Sequence, residues 1–132
     1  MHSRRIITFI AAAALLLGLA SVAPAGAAAK GRYIGYSAYK KDPGRYHDKN
    51  KVVLFFHAPW CPHCRETDKS LRKDGVPAGL IVVQVDYDSE KKLRKKYGVT
   101  VQHTFVQISA NGKQMGKWTG SRTGKDIKRK TR

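Results

Sequence analysis

Val52-Val53-Leu54-Phe55-Phe56-His57-Ala58-Pro59-Trp60-Cys61-Pro62-His63-Cys64 decides how this chain is read. Its first five residues are β-branched, leucine or aromatic, a run with the length and composition of a strand buried on both faces. Ala58-Pro59 ends that strand and Cys-x-x-Cys follows at once, so both sulfurs fall at a strand-to-helix junction. Cys61 is expected at the first turn of the next helix, where unpaired backbone N–H groups and the positive end of the macrodipole favour a thiolate. His63 adds a second cationic influence when protonated. A thiolate is the species that attacks disulfides, so Cys61 is the candidate nucleophile and Cys64, one turn later, the candidate resolving thiol.

The chain holds two cysteines, both in this motif. A small exported protein stapled by disulfides normally spreads four or more along its length. A loop closed over two residues constrains almost nothing in the unfolded chain, so a chemical use is expected. Export itself is suggested by residues 1–27: Arg4 and Arg5, an apolar run over 6–20, Pro24, then Ala25-Gly26-Ala27 at cleavage spacing. That is the anatomy of a signal peptide, with a periplasmic or extracellular destination, or membrane anchoring if the segment stays uncleaved. Without Arg4 and Arg5, the excess of 26 basic over 9 acidic residues falls to about +15. Such a balance favours anionic partners, an anionic envelope surface among them. Nucleic acid is the least expected partner, because the basic tail over 125–132 lacks interleaved aromatics.

Residues 28–50 read as an N-terminal extension: a short edge strand over 31–36, then an irregular helix and loop broken at Asp42-Pro43-Gly44. After the cysteines, Cys64, Thr67, Asp68 and Leu71 make a narrow inward stripe on a helix stopped by Gly75 and Pro77. Residues 80–86 are a second nearly continuous apolar strand, which implies cover on both faces. Asp88 or Ser89 is expected to cap a helix ending at Gly98. Asn111-Gly112 joins two further strands as a hairpin, and a terminal helix with Ile127 as its one apolar residue is expected to be marginal. Tyr33, Tyr36 and Tyr39 are expected to pack as one stripe over the sheet edge, and Trp118 to belong to the core. Parallel strands joined by helices and closed by an antiparallel pair predict an α/β fold: a mixed central sheet with helices on both faces and a C-terminal antiparallel hairpin.

With these features in place, the chain resembles the thioredoxin family over roughly residues 51–120, and residues 51–132 would form the thioredoxin-like domain. The likeness rests on Phe55-Phe56-His57-Ala58-Pro59-Trp60-Cys61-Pro62-His63-Cys64, Val85-Asp86-Tyr87-Asp88, Tyr97-Gly98-Val99 and the hairpin after Phe105. It implies the thioredoxin fold and a protein thiol–disulfide oxidoreductase without cofactor, with Cys61 attacking, Cys64 resolving and Trp60 lining the approach. The Pro62-His63 dipeptide is similar to that of periplasmic oxidants of the DsbA type. By that likeness His63 tunes the Cys61 thiolate toward an oxidising potential. The implied partners are cysteine-containing client proteins and a membrane redox partner that recycles the thiol pair.

Three positions depart from the family pattern. A buried aspartate six residues before the first cysteine is replaced by Phe55, and its lysine partner corresponds to Gln84. A proton relay must then use water, His57 or His63. His57 itself is expected to serve packing or hydrogen bonding. The third departure is His103 in place of a cis-proline, directly before Thr104-Phe105. His103 is expected to follow a trans bond, since a cis bond there costs roughly 2.5 to 4 kcal/mol. A similar Gln102-His103-Thr104 marks a group of exported thioredoxin-like proteins that this chain resembles. His103 and Thr104 are thus candidates for the substrate-binding edge. The alternative reading has Cys61, Cys64 and His103 as three ligands for copper or zinc, in a thioredoxin-like metal-handling protein.

Overall fold

The structure, a computed structural model, describes residues 30–132; the export segment assigned to 1–27 lies outside them. Among the described residues no helix is long and apolar enough to cross a membrane. The sheet runs in the order β1-β3-β2-β4-β5, with β1 (Arg32–Gly35), β2 (Lys51–His57), β3 (Leu80–Asp86), β4 (Thr104–Ile108) and β5 (Gln114–Thr119). β1 and β2 both pair with β3 in parallel, while β2–β4 and β4–β5 are antiparallel. The extension therefore supplies the edge strand beside β3, and the hairpin supplies the opposite edge.

Alternation along β2 explains why both faces are apolar. Val52, Leu54 and Phe56 join Ile81, Val83, Val85, Val106 and Ile108 on one face, under Tyr39 of α1 (Tyr36–Lys41), Tyr46 of α2 (Pro43–His47) and Tyr97 of α4 (Lys91–Tyr97). Val53 and Phe55 join Leu80, Val82 and Phe105 on the other, under Cys64 and Leu71 of α3 (Pro62–Asp74) and Ile127 of α5 (Gly124–Lys130). Each such side chain contributes roughly 1.5–3 kcal/mol when fully buried. The two layers thus hold β2 at the centre, and β2 in turn holds the cysteine motif at its C-terminal end.

Three local expectations change. The tyrosines form no single stripe: Tyr33 faces α3, whereas Tyr36 and Tyr39 stack on each other across the sheet, because one lies on a strand and two on a helix. Neither Asp88 nor Ser89 caps α4. Glu90 holds that position without a side-chain bond, and Asp86 Oδ1 takes up the N–H groups of Asp88 and Ser89 instead. Gly98 does close the helix, in a left-handed conformation at φ 61° that its missing Cβ allows. α5 is better fixed than its composition suggests, since Thr123 and Asp126 form a reciprocal capping box and Ile127 is fully buried.

Candidate active site

α3 begins at Pro62, whose ring suits the first helical position, and Cys61 is its N-cap. The Cys61 Sγ accepts the backbone N–H of Cys64 at 3.2 Å, satisfying one of the donors that a helix start leaves unpaired. Both cysteines are free thiols. They sit in the apolar cluster with Ala58, Phe55 and Phe105. Cys61 keeps 2% of its surface and Cys64 none, so the first sulfur is the one a substrate can meet. Burial is the main reason that the Cys64 thiol is pushed up to about 12. A hydrogen bond with Cys61 adds to this, and main-chain groups of Ala58 and His103 act against it.

Trp60 is 54% exposed beside the motif, its indole N–H donating to Asp88 Oδ2 at 2.9 Å and its ring set edge-on to Tyr87. His63 is exposed on the first turn of α3. Its Nδ1 lies 3.5 Å from Glu66 and its Nε2 3.5 Å from an Arg122 guanidinium nitrogen, while Arg122 also pairs with Glu66. Its polar contacts thus run to the helix surface and to the loop before α5. Thr104 is buried and turns its hydroxyl back onto the Val101 carbonyl at 2.7 Å, which pins the loop carrying His103.

His103 follows a trans bond and holds φ 63°, a left-handed conformation that histidine tolerates better than most residues. Its N–H donates to the Phe56 carbonyl at 3.0 Å, and its ring packs edge-on against Phe55 and Phe105. Nε2 lies 2.9 Å from Thr67 Oγ1, and the Thr67 hydroxyl lies 3.2 Å from the Ser121 carbonyl that it donates to. Burial, Arg122 and His63 hold His103 below the usual histidine range. Nε2 of His103 faces Thr67, and among the described residues no group of three or more potential ligands is placed to hold an ion.

Sequence reasoning placed Asp68 and Thr67 on the inward stripe without a role. Asp68 gathers Tyr33 Oη (2.8 Å), Gln84 Nε2 (3.1 Å) and Arg72 Nε (3.0 Å). Burial alone would raise the Asp68 carboxyl, but the bonds from Arg72 and Tyr33 outweigh it and hold the group low. Gln84, a polar residue interrupting an otherwise apolar strand, was the available signal. His57 serves packing as expected: its ring meets Phe55 edge-on, and burial lowers its basicity.

A sequence model of the thioredoxin family matches residues 42–132. Among curated relatives, "Protein disulfide isomerase-like 2-2" of Oryza sativa subsp. japonica is 29% identical over 129 residues, 94% of this chain and 34% of that protein. "Protein disulfide-isomerase A4" of Mus musculus is 35% identical over 91 residues, 64% of this chain and 14% of that protein. The chain therefore spans about a third or less of the length of these relatives. Among solved structures, Trxlp from Edwardsiella tarda EIB202 superposes with a TM-score of 0.57 at 20% identity, covering 76% of this chain and all of the other. The thioredoxin of Malassezia sympodialis gives 0.57 at 22%, covering 74% and 88%. At these identities the superpositions speak to the fold.

Proposed function

The chain belongs to the thioredoxin family, and from that premise we propose that it is an exported thiol–disulfide oxidoreductase exchanging disulfides with client proteins through Cys61 and Cys64. The observation that carries this reading is the inequality of the two sulfurs. Cys61 caps a helix with its Sγ on the Cys64 N–H, a position that stabilises negative charge on sulfur. Cys64, fully buried, is reached by Cys61 rather than by a client. Cys61 attacks a client disulfide, a mixed disulfide forms, and Cys64 displaces the client, or the same steps run in reverse. No organic cofactor enters. The curated relatives named as protein disulfide isomerases support this chemistry.

Trp60 and the loop carrying Val101, His103 and Thr104 are the residues we assign to client contact, with Trp60 and Val101 (50% exposed) as the apolar surface. His63 is assigned to tuning the pair. A membrane redox partner would return the thiols to their working state. The ion pairs among the described residues involve α3, α5 and the loop before α5. Lys40 and Lys41 of α1 and Lys91, Lys92, Lys95 and Lys96 of α4 stand exposed on the other layer, a distribution suited to an anionic envelope surface.

The test is a trap. Cys64→Ala should accumulate covalent client complexes that reductant releases, and Cys61→Ala should accumulate none. Equal yields from the two variants would refute the assignment. Export is tested separately, by the mass and N-terminal residue of the protein recovered outside the cytoplasm, with cleavage expected near Ala27.

A further inference from the structure

Resting on the thiol-exchange reading above, we propose that His103 Nδ1 is the proton acceptor for the Cys64 thiol, with Thr67 fixing the tautomer that makes it one. The Thr67 hydroxyl has a single hydrogen. It lies within bonding distance of the Ser121 carbonyl, which can only accept, and of His103 Nε2. Both contacts are satisfied in one way: Thr67 donates to Ser121 and accepts from Nε2–H. In the neutral ring this leaves Nδ1 with a free lone pair. Nδ1 is also the ring nitrogen nearer the main chain, and the His103 main chain lies against the Cys64 sulfur and favours its thiolate. The ring spans the ridge of α3 made by His63 (centroids 5.9 Å apart) and Thr67, and Cys64 is on that same turn.

Resolution needs such a base. Burial, the main cause that pushes the Cys64 thiol up, persists in the mixed disulfide and disfavours its thiolate at pH 7. The other candidates are occupied or unsuited. Asp68 is held low by Arg72 and Tyr33, the Tyr33 hydroxyl is pushed up by burial, and His63 faces Glu66 and Arg122. His57 packs edge-on against Phe55, and burial lowers its basicity. The groups facing His103 are His63, Glu66 and Thr67 from α3 and Arg122 and the Ser121 carbonyl from the loop before α5, while β2 and β4 present Phe55 and Phe105. Burial, Arg122 and His63 keep the ring neutral at rest, and the same forces make it release the proton readily afterwards. In the step, the Cys64 S–H proton passes to His103 Nδ1, and the Cys64 thiolate attacks the Cys61 sulfur of the mixed disulfide. The Cys61–client bond breaks as the Cys61–Cys64 bond forms, and the departing client thiolate takes the proton back from His103.

The reduced full-length protein, mixed with excess 5,5′-dithiobis(2-nitrobenzoic acid), separates the two steps. Attack by Cys61 releases one coloured thiolate, and displacement by Cys64 releases a second. In the wild type the second phase should vary little from pH 6 to 9. His103→Asn, which tolerates a left-handed φ, should slow the second phase at pH 7 by about 10²-fold or more beyond any change in the first. Its second phase should also rise about tenfold per pH unit, as expected when hydroxide replaces the lost base. Thr67→Val should slow the second phase severalfold, and Thr67→Ser should restore it. A second phase unchanged in His103→Asn, or equal slowing of both phases in Thr67→Val with no rescue by Thr67→Ser, overturns the proposal. If His103→Asn does not fold, the Thr67 pair decides alone. Absence of a fast first phase in the wild type would instead defeat the thiol-exchange reading, and this proposal with it.

Discussion

Replacing Asp68 tests whether the polar cluster under α3 works as a unit. Asp68 accepts from Tyr33 at 2.8 Å, Gln84 at 3.1 Å and Arg72 at 3.0 Å. A hydrogen bond to a charged group contributes about 1.5–3 kcal/mol. The Arg72 bond contributes less, because that side chain is 64% exposed and solvent screens the pair. Asp68→Asn keeps the shape and removes the charge, so a loss of about 2 kcal/mol at neutral pH is expected. Tyr33→Phe removes one donor and should cost about 1–2 kcal/mol. Because the two share a bond, the double variant should lose less than the sum, by about 1 kcal/mol. Urea titrations at constant m-value read all three losses. The Asp68 carboxyl is lower in the folded protein than in the unfolded chain. Its contribution is therefore complete above the unfolded value near ~3.9 and is lost as pH falls through the lower folded value. The gap between wild type and Asp68→Asn should accordingly close below about pH 4. A gap that persists undiminished at about pH 2.5, or strictly additive losses, would refute the argument.

Two further substitutions probe the motif and its bed. His63→Pro removes an imidazole from the first turn of α3 beside the thiols and should make the pair more reducing; an unchanged midpoint in a glutathione redox-buffer titration would contradict this. Phe55 is fully buried and stacks on Phe105 at 4.8 Å, so Phe55→Ala should destabilise by about 3–5 kcal/mol, read as a lower urea midpoint. A loss under about 1 kcal/mol would show that the position collapses freely or was never tightly packed.

The layered fold was legible because its strongest signals are local: the apolar runs of β2 and β3, Asn111-Gly112 at the hairpin, and Gly98 at the end of α4. Cys61 and Cys64 were legible for the same reason, as spacing alone puts them one turn apart. The Thr67–His103–Ser121 chain was not, since its members lie 36 and 54 residues apart in pairs and meet only when β4 and the loop before α5 close over α3. The direction of the His103 imidazole was hidden in the same way, since it depends on Thr67. The tyrosines misled because Tyr33 lies in strand β1, with its own facing alternation, and Tyr36 opens helix α1. α5 was underrated because composition shows one apolar residue, whereas its stability also draws on a Thr123–Asp126 box and on the depth at which Ile127 is buried.

The most direct examination of the account is site-resolved alkylation of the reduced, folded protein with iodoacetamide at about pH 5.5, read by peptide mass spectrometry beside glutathione as a free-thiol reference. The account predicts that Cys61 is labelled faster than glutathione and that Cys64 stays unlabelled until the protein unfolds. Labelling of Cys64 first, or of neither sulfur faster than glutathione, would contradict it.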